Sequence, residues 1–173
     1  MSMFEARRDI PAGSRSTASR TPANGLHHQL IGTWQLVSYV DRDVDSGEET
    51  HPMGDHPLGF ITYTPDGFVS AHLSSAHRPP FQVNDPYGGT AEEYTQAARR
   101  YVAYCGPFQV DERSQSLIHE MQVSLFPNWL GQRQVRLAQI DGDLLRLATP
   151  APMTFAGARK IAILVWRRVQ PNC

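Results

Sequence analysis

An all-β domain of about eight or nine short antiparallel strands, laid out as a sandwich or an up-and-down barrel, is what this sequence predicts. Three observations predict it. The second half of the chain alternates β-rich runs with tight turns such as "PNWLG" and "DGD". One segment alone carries a full helix-start signal, so helices do not organise the core. The first and last β-rich runs, "GTWQLVSY" and "RKIAILVWRRV", are suited to pair and close the sheet, which removes exposed edges and leaves room for one small ligand.

Taken in order, residues 1–22 are rich in Arg, Ser, Thr, Pro and Gly and poor in large apolar groups, so they are expected to form a disordered tail ahead of one domain over residues 23–173. Asn24 is placed to cap a short helical turn through "GLHHQL", after which "IGTWQLVSYV" switches to strand periodicity. "DRDVDSGEE" reads as a polar loop. "PLGFITYTPDGFVSAHLS" reads as a hairpin around Pro65, Asp66 and Gly67, because proline presets one turn angle and glycine supplies the positive one. A long Pro/Gly loop, "AHRPPFQVNDPYGG", leads to the helix, where Thr90 and Glu93 make a capping box ahead of "AEEYTQAARRY". The runs "VAYCGPFQVD", "SLIHEMQVSLF", "QRQVRLAQI", "LLRLAT" and "RKIAILVWRRV" supply the remaining strands.

Composition narrows the function. A formal net charge of -1 offers no electrostatic footprint for nucleic acid or an anionic membrane. No run has the length of a membrane span, and the N-terminal stretch lacks the apolar core of a secretory signal. Two cysteines, Cys105 and Cys173, do not make a disulfide framework, so a cytoplasmic location is expected. "HPMGDH" brings His51, Asp55 and His56 into one polar loop without a recognisable ligand spacing, so no metal site is expected there.

In a closed sheet Gly32 permits a sharp bend, Trp34 plugs one end, and Arg167 or Arg168 from the last strand covers the indole face. Gly32-Thr33-Trp34 with that terminal arginine resembles the lipocalin signature of the calycin superfamily. The blocks "LIGTWQLVSY", "PLGFITYTPDGFVSAHL", "YVAYCGPFQVD" and "HEMQVSLFPNWLGQRQVR", in this order, resemble the bacterial and fungal lipocalin-like domain family over roughly residues 28 to 169. The resemblance implies an eight-stranded barrel with a central cavity and no obligatory cofactor. It implies no single activity, because related barrels include carriers as well as cyclases and isomerases.

Alternation assigns the cavity lining. In "LIHEMQVSLF" the apolar set is Leu117, His119, Met121, Val123 and Leu125, so His119 is expected inside as a neutral imidazole suited to proton transfer, the alternative being a core histidine satisfied by its neighbours. Pairing Tyr63 with Phe68 across the hairpin puts Ser70 and His72 on the same face as Tyr63, lining the cavity if that face looks inward. In "QRQVRLAQI" the set Arg133, Val135 and Leu137 reads as inward, which would leave Arg133 at the mouth to steady negative charge and Arg136 outside. Met121, Tyr101, Tyr104 and Trp129 complete the expected substrate contacts, while Cys105 reads as a structural thiol. The final strand is apolar on both faces, so either the helix or a second subunit in a homodimer is expected to cover it.

These readings converge on a cofactor-independent isomerase or cyclase for a hydrophobic polyketide- or terpenoid-like intermediate. His119, His72 and Arg133 would be its catalytic groups. The alternative is a non-enzymatic carrier of an apolar ligand. Haem held by His72 or His119 is a third and lesser reading.

Overall fold

The computed structural model describes residues 25–171; the expected tail over residues 1–22, the Asn24 cap and Cys173 lie outside them. Eight long strands follow one another: β1 (Gly32–Asp43), β2 (Leu58–Tyr63), β3 (Phe68–Ser74), β4 (Tyr101–Asp111), β5 (Ser116–Glu120), β6 (Arg133–Asp141), β7 (Leu144–Ala148) and β8 (Ala158–Arg168). Each pairs antiparallel with the next, and β8 returns to β1 from Trp34↔Arg168 to Asp43↔Lys160. The chain is therefore a closed up-and-down barrel, the architecture that leaves no long edge unpaired. Short strands Glu49–Thr50, Val123–Ser124 and Met153–Phe155 pair onto β1, β4 and β8.

One end is sealed as the sequence implied. Trp34 is fully buried and its indole N–H donates to the Leu30 carbonyl at 2.9 Å. The Arg168 guanidinium lies 4.0 Å above the indole centroid and donates to the carbonyls of Ile31 and Gln29. Those carbonyls belong to the end of helix α1 (Leu26–Leu30), whose Leu26 and Leu30 are buried beneath the barrel. A five-residue helix is unstable alone and needs external partners for its first amides. Glu112, beyond the end of β4, supplies them, its carboxylate accepting from Leu26 N at 2.6 Å and His27 N at 2.9 Å. Glu112→Ala is therefore expected to lower unfolding free energy by about 1 kcal/mol, read from the urea midpoint at constant slope.

The other end is open. Helix α2 (Ala91–Arg99) starts with the expected capping box, Thr90 Oγ1 accepting from Glu93 N while Glu93 Oε2 accepts from Thr90 N. It packs against β4, with no comparable contact to β8, so the expectation that this helix covers the last strand is not met.

Three features of register decide what faces the interior. In β1 the pairing steps from Leu36↔Trp166 to Ser38↔Val165, leaving Val37 as an extra, exposed residue. Such a bulge reverses the alternation. Trp34 and Leu36 point inward before it, and Tyr39 and Asp41 point inward after it.

In the β2–β3 hairpin Tyr63 pairs with Val69, not Phe68, and Thr64 N donates to the Phe68 carbonyl. The loop is three residues, Pro65, Asp66 and Gly67, closed by Gly67 at φ +89°. That one-residue slip corrects the expected facing: Val69, Ala71 and Leu73 are buried, whereas Phe68, Ser70 and His72 stand on the outer face.

In β6 the alternation is inverted. Leu117 pairs with Arg136 and His119 with Gln134, so Gln134, Arg136 and Ala138 look inward while Arg133, Val135 and Leu137 are exposed outside. Arg133 at the mouth and Arg136 outside is thus corrected on both counts. Val135 and Leu137 lie beside outward Ile118 on β5, an apolar outer stripe that alternation mistook for a core face.

Candidate ligand-binding site

The barrel holds a cavity of about 790 Å³ at its open end, within the size range of small-molecule pockets. Its walls are largely apolar: Met53, Val102, Phe126, Trp129, Met153 and Phe155. A smaller chamber of about 70 Å³ continues inward past Tyr39, Tyr104, Arg136, Leu164 and Trp166, and both volumes share Tyr39, Val102, Trp129, Met153 and Phe155.

The mouth carries the charged groups. Asp41 and Lys160 line it from adjacent strands, and Arg99 reaches it from α2. Lys160 Nζ donates to Thr50 Oγ1 at 3.1 Å. Burial raises the Asp41 carboxyl above the usual carboxylate range, opposed by the Tyr39 hydroxyl and the Lys160 charge. Burial, then the Asp41 charge, raises the Tyr39 hydroxyl, keeping it neutral. Neither Tyr39, Asp41 nor Lys160 is among the residues expected from the sequence. The bulge at Val37 hides the first two from any uninterrupted alternation count, and for Lys160 the available signal was its shared parity with inward Trp166 on β8.

Beneath the chamber lies the histidine. His119 is inward as expected, with no exposed surface. Its Nε2 lies 3.0 Å from the Tyr63 hydroxyl and its Nδ1 3.2 Å from the Tyr104 hydroxyl. A neutral imidazole has one donor and one acceptor, so one tyrosine donates to the ring and the other accepts from it. Burial, with the Arg136 charge adding to it, lowers the His119 pKa to about 3. Both tyrosines are raised, chiefly by burial, and remain neutral. Arg136 is held by Gln134 Oε1 at 2.6 Å and by its neighbour's carbonyl.

The other expected residues divide between wall and exterior. Tyr104 and Trp129 line the cavity and meet edge to face, ring centroids 6.1 Å apart. Met121 is fully buried in the wall. On the outer face Ser70 Oγ lies 3.2 Å from His72 Nε2, and His72 Nδ1 lies 2.7 Å from the Tyr101 hydroxyl. Tyr101 also borders the mouth, and Arg78 stacks over its ring at 4.9 Å. Arg133 donates to Gln109 on the outside at 2.9 Å. The structure thus brings His119, Tyr63 and Tyr104 together and keeps Phe68, Ser70, His72 and Arg133 away from them. Among the described residues no group of His, Cys, Asp and Glu is arranged to hold a metal.

An eight-stranded barrel floored by Trp34 under Arg168 agrees with the sequence comparison, in which the profile of the lipocalin-like domain family matches residues 31–169. The chain belongs to the lipocalin-like domain family. Over 107 residues this lipocalin-like chain is 34% identical to the 4'-hydroxy-3'-methoxypropiophenone carrier protein ppsC of Aspergillus oryzae, an alignment covering 58% of this chain and 96% of that protein. A crystal structure of an uncharacterized protein from Bacteroides eggerthii DSM 20697 aligns with 12% identity and a TM-score of 0.39, covering 81% of this chain and 99% of that one. No helix among the described residues of this lipocalin-like domain is long and apolar enough to cross a membrane.

Proposed function

We propose that this lipocalin-like protein carries a small, largely apolar, aromatic-bearing molecule in the barrel interior without transforming it. The observation that carries the reading is the lining: a ligand-sized apolar cavity whose interior histidine is shut off from it. His119 is not among the residues that line either chamber, and both of its ring nitrogens are engaged by buried tyrosine hydroxyls, which speaks against its moving a guest's proton. His72 and Arg133 face outward, which removes the other two groups of the isomerase or cyclase reading from the chamber. The relative's named cargo, a hydroxylated and methoxylated aryl ketone, supports an aromatic guest of similar bulk.

Incubating the protein with aryl ketones of that kind and extracting them after gel filtration tests the reading. Stoichiometric recovery of unaltered ketone with the protein peak is the expected result. Steady appearance of an isomer or cyclised product would establish the enzymatic reading instead. Trp129→Ala, which removes a wall residue common to both chambers, is expected to weaken binding about tenfold or more, read by calorimetric titration.

A further inference from the structure

Two residues of the cavity lining each carry a buried polar atom without a hydrogen-bond partner, Asp41 at Oδ1 and Trp166 at Nε1. Asp41 is 4% exposed and Trp166 is 1% exposed, so water does not readily supply what the protein withholds. Leaving such groups unsatisfied is costly, and among the explanations for one persisting in a native fold is a partner that arrives from outside. Asp41 lines the mouth and Trp166 the inner chamber, so both sit where a guest would lie. One is an acceptor and the other a donor.

The placement is built in. Asp41 faces the cavity because the bulge at Val37 turns it there. Lys160, the cation beside it, gives its resolved hydrogen bond to Thr50. Asp41 pairs with Ala162, four residues before Trp166 on β8, which separates the two positions by about 13 Å along the strand. After both side chains reach inward, a substituted aromatic ring with a short side chain is of a size to span what remains.

We propose that Asp41 accepts a hydrogen bond from a hydroxyl group of the guest and that Trp166 donates one to a carbonyl or ether oxygen at the guest's far end. The site therefore selects apolar molecules that are polar at both ends, a donor outermost and an acceptor innermost. This rests on the carrier reading and narrows it to a ligand class set by two named residues. A site built around a polar partner discriminates strongly against analogues that lack it, because its own group is then left unpaired.

The test is displacement of a neutral naphthylamine dye from the full chain by para-hydroxybutyrophenone, its methyl ether and para-butylphenol. In the unmodified protein the hydroxy ketone is expected to bind about tenfold or more tighter than either analogue. In Asp41→Leu its advantage over the methyl ether disappears, while its advantage over para-butylphenol remains. In Trp166→Phe the pattern reverses. Asp41→Leu replaces a buried, poorly paired carboxylate by an apolar group of similar volume, so the variant is expected to stay folded, and dye binding checks this. Equal displacement by all three compounds in the unmodified protein overturns the proposal, as does retention of the full hydroxyl preference in Asp41→Leu, and both leave the carrier reading standing. Failure of the dye and all three compounds to bind would overturn the carrier reading itself.

Discussion

Replacing Trp34 by alanine is expected to lower the unfolding free energy by about 4 kcal/mol, the largest loss from any single side chain in the floor. The indole has no exposed surface, so the whole ring is lost from a packed interior and a cavity is left behind. Three further contacts go with it. The Leu30 carbonyl loses its indole donor, the Arg168 guanidinium loses the ring beneath it, and α1 loses the surface against which Leu26 and Leu30 are packed. For a domain of this size the loss corresponds to a melting temperature lower by roughly 10–15 °C. Chemical denaturation followed by circular dichroism measures it, and a loss below about 1 kcal/mol would show that the floor is not a stabilising plug. Trp129→Ala offers the contrast. Trp129 lies at the solvent-facing mouth, so its removal is expected to change ligand affinity far more than stability.

The contrast between those tryptophans reflects how information is distributed along the chain. Closure was legible because it depends on long-lived patterns: an alternating first strand headed by Gly32 and Trp34, a last strand ending in arginines, and short turns between. The inward facing of His119 was legible because Leu117 and Met121 flank it at the same parity and all three are buried. Facing failed wherever one residue altered the count. A three-residue loop in place of four carried His72 and Ser70 outside, and one extra residue at Val37 brought Tyr39 and Asp41 in. Neither event changes composition or mean periodicity, so neither leaves a signal in a single sequence.

Strand β6 failed for a different reason. The rule that apolar residues face inward presumes a polar exterior and an apolar core, but here Arg136 and Gln134 line the interior beside His119 while Val135 and Leu137 remain outside. The interior accommodates these polar side chains because several of their groups pair with one another: Gln134 Oε1 holds Arg136 and two tyrosines hold the histidine, while the buried Gln134 Nε2 has no partner. The reading of His119 as a proton carrier rested on its being desolvated, and it is desolvated. What the sequence did not reveal is that Tyr63 and Tyr104 occupy both nitrogens, so that the imidazole bridges two buried tyrosines.

That bridge makes stability depend on acidity in a defined direction. Unfolded, His119 protonates near the ordinary histidine value of 6.5; folded, burial and the Arg136 charge lower its pKa to about 3. Between those values the unfolded chain binds the proton and the native one does not, so the stabilisation is complete above about pH 6.5 and is lost as pH falls toward 3. At about 1.4 kcal/mol per unit, this one side chain is expected to remove about 3 kcal/mol between pH 7 and pH 4. Asp41 contributes with the opposite sign, since a carboxyl raised in the native state stabilises on the acid side and that contribution is lost as pH rises through its folded pKa. A bare pH profile therefore sums the two. Comparing the unmodified protein with His119→Gln isolates the histidine, because Asp41 is common to both and glutamine cannot titrate. The difference in unfolding free energy between them is expected to be largest at pH 7 and to shrink steadily toward pH 4, as measured by urea titration at each pH. Parallel profiles would mean that the buried imidazole is not the group whose protonation opens the barrel.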